Sequence, residues 1–264
     1  MKKVISLIIM LFLALKISPA QSIQLHLVDG SQKVFLISQI DSITFSRTPV
    51  NDGLIAYYPF NGNAGDYSIN GNNGTVHGAS LTTDRFGNSN SAYDFNGVNN
   101  YIEIPDNSTL RPASITIAGW IYPRSIDVRG IVYKSTYSDA SNEQYALEIN
   151  ASSQFNSGIK RNSSCLPGAG WNNVTSTQTI SLNQWSFVCI TWDGSLLKAY
   201  INGVLISTNT SVPAGAIDAC SGGTLRLGIE WQASGGHPFN GKLDDFRFYN
   251  RALSDSEVQL LYTE

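Results

Sequence analysis

Short stretches of alternating hydrophobic and polar residues recur along most of this chain. From Leu54 onward they return roughly every ten residues, separated by turns rich in Gly, Asn, Ser and Asp. Alternation with a period of two is typical of half-buried strands, and this spacing of strands and turns is typical of an all-β sandwich. The predicted strands are Leu54–Pro59, Ala92–Phe95, Tyr101–Ile104, Ser114–Tyr122, Ile131–Tyr133, Tyr145–Ile149, Phe187–Trp192, Leu196–Ile201, Val204–Ser207, Leu225–Gly228 and Leu243–Tyr249.

Two local signals mark how this sandwich is closed. Asn202-Gly203 separates two of the predicted strands and is the turn dipeptide that favours a tight hairpin. After the last strand, Ser254 and Glu257 have the spacing of a capping box, which predicts the start of a helix. Val258, Leu260 and Leu261 give that short C-terminal helix an apolar side.

Residues 1–20 have the pattern of a signal peptide. Lys2 and Lys3 precede an apolar run, and Ser18-Pro19-Ala20 is a small-residue cleavage site. The apolar run is shorter than the ~20 residues that a membrane-spanning helix needs. We therefore predict an exported protein without membrane insertion, in the periplasm, at the cell surface or secreted.

Residues 21–48 are predicted to form a small β-hairpin element. Ile23–Leu27 alternates, Asp29-Gly30 is a turn signal, and Val34–Leu36 is the answering strand. The run Ile40–Phe45 closes the element and resembles a short N-terminal segment of exported Bacteroidota proteins. Residues 47–53 are the predicted linker. The domain predicted over residues 49–264 has a length that suits a single β-domain.

Composition and charge exclude some partners. Only 14% of the residues are charged, and the formal net charge is −3, with 17 basic and 20 acidic residues spread along the chain. Nucleic acids and anionic membranes select a basic stripe, which this sequence lacks. We expect neither as a partner.

The three cysteines lie in two kinds of sequence. Cys189 falls in a predicted strand, where a buried small apolar residue is the simplest interpretation. Cys165 and Cys220 lie in polar stretches rich in Gly and Ser, and an exported chain keeps a disulfide. We predict the Cys165–Cys220 pair; two free thiols, or pairing with Cys189, stay open because spacing does not fix connectivity.

Several motifs follow one another in a fixed order between residues 53 and 262. They are Leu54–Gly62, Asp66–Gly74, Phe95-Asn96-Gly97 with Tyr101–Pro105, Ile115–Ile121, Trp185 with Thr191–Gly194, Tyr200–Gly203 and the closing run Phe239–Glu257. Their order and spacing resemble those of the LamG-like jelly rolls of the concanavalin A-like lectin/glucanase superfamily, with Ile69 standing where the family usually has Gly. The resemblance implies a two-sheet antiparallel jelly-roll sandwich.

A structural calcium ion is the first candidate site. In the jelly rolls that this chain resembles, the first and last strands lie close together and Ca²⁺ often bridges them. Asp66 follows the first strand and Asp244 begins the last one, so these are the predicted ligands, with turn carbonyls and water completing the shell. The alternative is that both cap their own turns. Asp245 is expected on the opposite face from Asp244.

Catalysis is not expected, although the resembled superfamily includes glycoside hydrolases. Retaining enzymes need two carboxyl groups about 5–5.5 Å apart. No Glu in this chain is followed by Asp two residues later, as in the motifs of those enzymes. Glu148 is the one acidic residue well inside a predicted strand, and the sequence shows no partner for it.

Aromatic residues supply the remaining candidate surface. Trp171 and Trp231 lie in predicted loops beside amide side chains, a combination that can stack on a sugar and hydrogen-bond its hydroxyls. The alternative is that both fold back over the core. Trp120, Trp185 and Trp192 lie in strand patterns and are predicted to be in the core or near it. The sequence therefore predicts a non-catalytic module for a glycan or a cell-surface partner. A structural or adhesive domain without a small ligand is the first alternative, and a glycoside hydrolase the second.

Overall fold

The computed structural model describes residues 3–8, 16–18, 22–26, 32–36, 40–46, 50–125, 129–136, 142–162, 164–166, 170–230 and 236–264. The chain divides into two compact units, Met1–Val50 and Asn51–Glu264, and the division falls within the predicted linker. Among the described residues, no helix has the length and apolar character to cross a bilayer.

In the first unit the structure describes five strands, which are β1 (Lys3–Ile8), β2 (Lys16–Ser18), β3 (Ser22–His26), β4 (Gln32–Leu36) and β5 (Ile40–Ser46). β2, β3 and β4 form an antiparallel sheet, and β1 pairs with β5 in parallel. The turn predicted at Asp29-Gly30 lies outside the described residues. Cleavage after residue 20 and a separate role for residues 21–48 stay predictions.

The second unit contains seventeen described strands, one 3₁₀ turn and one helix. The strands are β6 (Leu54–Tyr58), β7 (Thr75–His77), β8 (Ser80–Thr82), β9 (Ala92–Asn96), β10 (Tyr101–Ile104), β11 (Ile115–Pro123), β12 (Arg129–Ser135), β13 (Tyr145–Ile149), β14 (Gln154–Lys160), β15 (Trp171–Thr179), β16 (Ser186–Trp192), β17 (Leu197–Ile201), β18 (Val204–Asn209), β19 (Thr224–Leu227), β20 (Ile229–Glu230), β21 (His237–Pro238) and β22 (Asn240–Tyr249). The 3₁₀ turn is Ser108–Leu110 and the helix is α1 (Asp255–Tyr262).

These strands form two antiparallel sheets. The seven-stranded sheet has the order β15-β14-β13-β12-β19-β10-β7. The eight-stranded sheet has the order β18-β17-β16-β11-β22-β9-β8, with β6 also paired to β22. Apolar side chains of both sheets form one buried cluster, including Leu147, Phe155, Ile190 and Phe246. The predicted all-β jelly-roll sandwich is confirmed.

The predicted closing devices are present. Asn202 and Gly203 have φ angles of +50° and +76°, the left-handed pair that a two-residue hairpin between β17 and β18 requires. The Ser254 hydroxyl accepts from the Glu257 amide, and the Glu257 carboxylate accepts from the Ser254 amide. This capping box starts α1, whose Val258 and Leu261 are buried.

The four tryptophans that the structure describes divide between the core and the surface. Trp192 is fully buried, as predicted. Trp120 and Trp185 are only half-buried and lie on the outer side of the eight-stranded sheet, because Trp120 alternates in β11 with the buried Ile121 and packs away from the core. Trp171 begins β15, so its predicted loop position is wrong, and Trp231 lies outside the described residues.

Candidate functional site

Polar side chains cover the outer side of the seven-stranded sheet. We call this surface the polar face and define it as Tyr133, Glu143, Glu148, Asn156, Lys160, Trp171, Thr175, Glu230 and His237. Its side chains come from strands separated by up to a hundred residues in the sequence. Several are buried although they are charged, so hydrogen bonds and ion pairs must fix their positions.

A row of three hydrogen-bonded side chains crosses the middle of this face. The strand register places Glu148 opposite Asn156, and Asn156 opposite Thr175. The Thr175 hydroxyl donates to Oδ1 of Asn156 at 2.7 Å, and Nδ2 of Asn156 donates to Oε1 of Glu148 at 2.6 Å. All three residues are partly exposed. The row therefore presents a carboxylate, an amide and a hydroxyl in fixed positions.

A glycine brings a second carboxylate next to this row. Gly130 pairs with Glu148, and a Cβ atom at Gly130 would lie 2.2 Å from the Glu230 amide nitrogen and 2.7 Å from the Glu230 Cβ. Only a residue without a side chain allows this approach. Oε2 of Glu230 lies 2.9 Å from Nδ1 of His237. The structure thus groups Glu148, Glu230 and His237 at one end of the row.

A buried network lies beside the row. The Tyr133 hydroxyl donates to Oε1 of Glu143 at 2.8 Å, and Nζ of Lys160 lies 2.6 Å from Oε2 of the same carboxylate. Burial raises the pKa of the Tyr133 phenol, and the nearby Glu230, Glu143 and Glu148 raise it further. Tyr133 therefore stays protonated and keeps donating.

The charge of Glu148 depends on its neighbours. Burial is the main cause that raises its pKa, the bond from Asn156 lowers it, Glu230 raises it and His237 lowers it. Glu148 thus has an acidic neighbour, which the spacing of acidic residues along the sequence did not reveal. Glu230 comes from a short strand more than eighty residues away, and no sequence motif links the two.

Trp171, at the start of β15, is the tryptophan of the polar face. Its indole packs against Gly158, where a Cβ atom would lie 2.7 Å from Cε2 of the ring and 2.4 Å from Oδ1 of Asn173. The ring is half-buried, with Lys160 as its cross-strand partner. This places an aromatic ring near the polar row, as the sequence hypothesis requires. A ligand role for Trp171 stays a prediction, and so does that of Trp231.

The predicted Cys165–Cys220 disulfide is present, with the two Cα atoms 5.6 Å apart. Cys189 is the free, buried thiol, as predicted. The bridge fixes one end of the polar face. The Gln144 side-chain amide donates to the Cys220 carbonyl, and Nζ of Lys160 donates to the Leu166 carbonyl at 2.9 Å. Two loops distant in sequence are thereby held beside Lys160.

Asp66 organises the loop that follows β6. Its Oδ1 accepts from the amides of Tyr57 and Ser68 at 2.9 and 2.8 Å. Its Oδ2 accepts from the Ser68 hydroxyl and the Asn72 amide, both at 2.8 Å. Four donors therefore surround this carboxylate, and all come from β6 and its own loop.

Asp244 lies in β22 with a different partner. Nη1 of Arg85 is 2.8 Å from Oδ2 of Asp244 and 2.6 Å from Oδ2 of Asp245. The prediction that Asp245 lies on the opposite face is therefore wrong. The pairing of β22 with β11 shifts register between Ala118 and Trp120, and Asp245 has a φ of +50°, so a β-bulge turns both carboxylates to one side. Burial, and then Asp245, raise the pKa of Asp244 to about 7.

These partners do not fit a calcium ion shared by Asp66 and Asp244. Such an ion needs about six to eight oxygen ligands, whereas Asp66 is surrounded by donors and Asp244 faces a cation. In the part of the chain that the structure describes, no three His, Cys, Asp or Glu side chains are grouped to hold a metal. The calcium prediction stays a prediction, without a supporting donor set.

Comparison with known families places this fold. Residues 96–259, more than half of the chain, match the Laminin_G_3 family model, described as concanavalin A-like lectin/glucanases superfamily. Human pentraxin-related protein PTX3 is 29% identical over a 101-residue alignment that covers 35% of this chain. The chain spans about a quarter of that relative, since the match covers 26% of its length.

Solved structures share the fold at low sequence identity. One is domain 4 of AbnA, a GH43 extracellular arabinanase from Geobacillus stearothermophilus, in complex with arabinotriose. It is similar with a TM-score of 0.63 and 20% identity, covering 80% of this chain and 99% of that one. Another is the binding domain of Paraclostridial Mosquitocidal Protein 1, with a TM-score of 0.62 and 20% identity, covering 80% of this chain and 52% of that one.

Proposed function

The chain belongs to the concanavalin A-like lectin/glucanases superfamily, and we propose that it is a non-catalytic module that binds a glycan on the polar face. The observation that carries the proposal is the fixed row of Glu148, Asn156 and Thr175 with Trp171 beside it. Carbohydrate recognition needs this combination, because a sugar ring has an apolar face and a rim of hydroxyls.

The open hydrogen-bonding positions of the row suit sugar hydroxyls. Oε1 of Glu148 is bonded to Asn156, while Oε2 has no hydrogen-bond partner among the described residues. The Thr175 oxygen donates its hydrogen to Asn156 and keeps its acceptor positions. A hydroxyl that donates to Glu148 or Thr175 would meet side chains already held in place, which lowers the entropy lost on binding.

The structural relatives support a binding role. Domain 4 of AbnA, whose structure was solved in complex with arabinotriose, shares the fold over its whole length. The mosquitocidal protein supplies another binding domain of similar fold. At 20% identity these likenesses carry the fold, so the sugar and the residues that bind it in this chain are part of the proposal.

The non-catalytic part of the proposal rests on how the carboxylates are engaged. Glu148 accepts from Asn156, Glu230 contacts His237, and Glu143 is paired with Lys160. Each carboxylate thus has a local partner. Incubating a bound glycan with the protein and measuring new reducing ends tests this part, and hydrolysis that disappears in Glu148→Gln would contradict it.

Export is the second part of the proposal. The signal-peptide pattern of residues 1–20 and the resemblance of Ile40–Phe45 to exported Bacteroidota proteins support it. A disulfide persists in an oxidising compartment, and Cys165–Cys220 is consistent with one. N-terminal sequencing of the protein recovered from cell fractions would test both the cleavage site and the location.

A glycan array with the full chain is the decisive experiment for binding. For each sugar that binds, Trp171→Ala is expected to weaken affinity at least about tenfold, which corresponds to 1.4 kcal/mol. Trp171→Phe is the matched control, because it keeps an aromatic face and should retain most of the affinity. Asn156→Ala should also weaken binding, since it removes the link between Glu148 and Thr175.

Other outcomes would favour the alternatives. An array without any binding, together with a folded protein, would support a structural or adhesive domain. Binding that is unchanged in both Trp171→Ala and Asn156→Ala would show that the polar face is not the site. The melting temperature of each variant must be measured in parallel, so that lost binding is not confused with lost folding.

A further inference from the structure

A second surface, on the other sheet, has the features of a ligand site. An open groove of about 480 Å³ lies on the outer side of the eight-stranded sheet. We call it the aromatic groove and define it by Arg85, Phe86, Trp120, Trp185, Tyr262 and Glu264. Its volume is within the usual range for small-molecule sites. It shares no residue with the polar face.

Four separate segments bring the aromatic rings together. Trp120 lies on β11, Trp185 immediately precedes β16, Tyr262 ends α1, and Phe86 lies in the loop after β8. The Tyr262 ring stacks on Trp120 with centroids 5.6 Å apart and an angle of 24° between planes. Phe86 is 65% exposed, and both tryptophans are half-buried. The rings are therefore fixed by packing but still reachable.

Arg85 contacts two of the aromatic rings of the groove, those of Phe86 and Trp120. Its guanidinium carbon lies 4.3 Å from the Phe86 ring centroid and 4.8 Å from that of Trp120. The side chain is only 8% exposed. Its hydrogen bonds to Asp244 and Asp245 both use Nη1, and Nε has no partner within the described ranges. Held by the two carboxylates, the guanidinium keeps the Phe86 and Trp120 rings in place.

The charges around the groove are already paired. Arg85 is neutralised by Asp244 and Asp245, and Arg247 is bonded to Glu264. A charged ligand would have to compete with these pairs, whereas an uncharged one would not. The exposed Phe86 ring and the half-buried Trp185 ring, with polar groups nearby, suit the apolar side of a sugar ring.

We propose that the aromatic groove is a second carbohydrate site, which binds a neutral pyranose by stacking it on Trp185 and Phe86. The polar face and the groove lie on the outer sides of different sheets, so one chain would bind two stretches of polysaccharide. Two weak sites on one molecule raise the overall affinity for a long or clustered polymer without any new contact.

The test uses the full chain with uncharged probes, namely cellohexaose, laminarihexaose, xylohexaose and mannohexaose. The indole N–H signals in ¹H–¹⁵N spectra separate the tryptophans, once each is assigned by a Trp→Phe variant. At least one probe is expected to shift the Trp120 and Trp185 signals, and to do so equally in Trp171→Ala. Phe86→Ala should weaken this binding at least about fivefold. Because Phe86 is mostly exposed, that variant should fold normally.

Tyr67→Ala is the matched control, since Tyr67 is an aromatic residue of similar exposure, 56%, outside both sites. It should leave binding unchanged. The proposal is overturned if no probe moves the Trp120 and Trp185 signals, or if Phe86→Ala and Tyr67→Ala bind alike. If the polar face does not bind a glycan, the Trp171 signal should not respond to any probe while the Trp120 and Trp185 signals still move.

Discussion

Asp244 and Asp245 are consecutive residues of one strand, yet both carboxylates bind Nη1 of Arg85. In a regular strand their side chains would point to opposite faces. The bulge in β22 removes that alternation, and Gly119 on the neighbouring strand leaves room for the Phe246 ring, 2.7 Å from where a Cβ atom would be. The bulge therefore creates a two-to-one ion pair beside the aromatic groove.

This arrangement predicts a pH-dependent stability. Asp244 has its pKa raised to about 7 in the folded chain, so the folded state binds its proton more tightly than the unfolded state. The resulting stability is fully present below the ordinary Asp pKa and is lost as the pH rises to about 7. Between pH 4 and 7.5 the free energy of unfolding should fall less in Asp244→Asn than in the wild type. The difference between the two falls should be at most about 4 kcal/mol.

Chemical denaturation at several pH values measures this difference. Asp255→Asn is a suitable control, because its pKa is lowered rather than raised and it lies on the exposed helix start. If wild type and Asp244→Asn show parallel pH profiles, the carboxylate of Asp244 is ionised in the folded protein throughout this range.

The role of Asp66 can be separated from the calcium prediction. If Asp66 serves to organise its loop, Asp66→Ala should lower the free energy of unfolding by roughly 1–3 kcal/mol, because several donors lose their acceptor. The loss should be the same with and without EDTA in thermal melts. A wild type that EDTA destabilises, beside an Asp66→Ala variant that EDTA does not affect, would instead support bound calcium.

Gly158 should be essential to the position of Trp171. The methyl group of Gly158→Ala would overlap with the Trp171 indole and with the Asn173 side chain, so the indole ring must move. We expect weaker glycan binding and a loss of stability of about 1–3 kcal/mol. In a Trp171→Ala background the same substitution should have a smaller effect, since the indole is gone and only the Asn173 side chain still has to move. Additive effects in this double-mutant cycle would show that the two residues are not coupled.

The disulfide should stabilise the domain and one end of the polar face. Its cysteines are 55 residues apart, for which the loop-entropy model gives at most about 4 kcal/mol. Cys165→Ser with Cys220→Ser should therefore melt at a lower temperature and no longer respond to reductant. Cys189→Ala, which removes only the free thiol, should keep the response to reductant. A wild type that is insensitive to dithiothreitol would contradict this assignment.

The sequence predicted the architecture because the apolar strands are encoded locally. The strands at Tyr101–Ile104 and Tyr145–Ile149, the Asn202-Gly203 hairpin and the Ser254 capping box all lie where short-range patterns placed them. Each depends on neighbouring residues only. Alternation and turn chemistry are therefore sufficient to identify them.

The candidate site was harder to predict, because its strands are unusually polar. β14 and β15 were missed, since they are rich in amides and hydroxyls that resemble loop sequence. Asn156 of β14 and Thr175 of β15 face outward and form the polar row with Glu148. The approach of Glu230 to Glu148 depends on Gly130, which pairs with Glu148 and packs against Glu230. No local sequence pattern indicates either of these two contacts of Gly130.

The pairing of β6 with β22 has a mechanical consequence. Leu54, near the start of the second unit, lies beside Tyr249, near its end, in an antiparallel pair. A force that pulls these two residues apart acts along the interstrand hydrogen bonds, so the bonds break one after another from that end of the pair. We therefore expect this pair to separate at a lower force than if it were pulled along the strands. The unit is thus poorly suited to carry tension between its own ends.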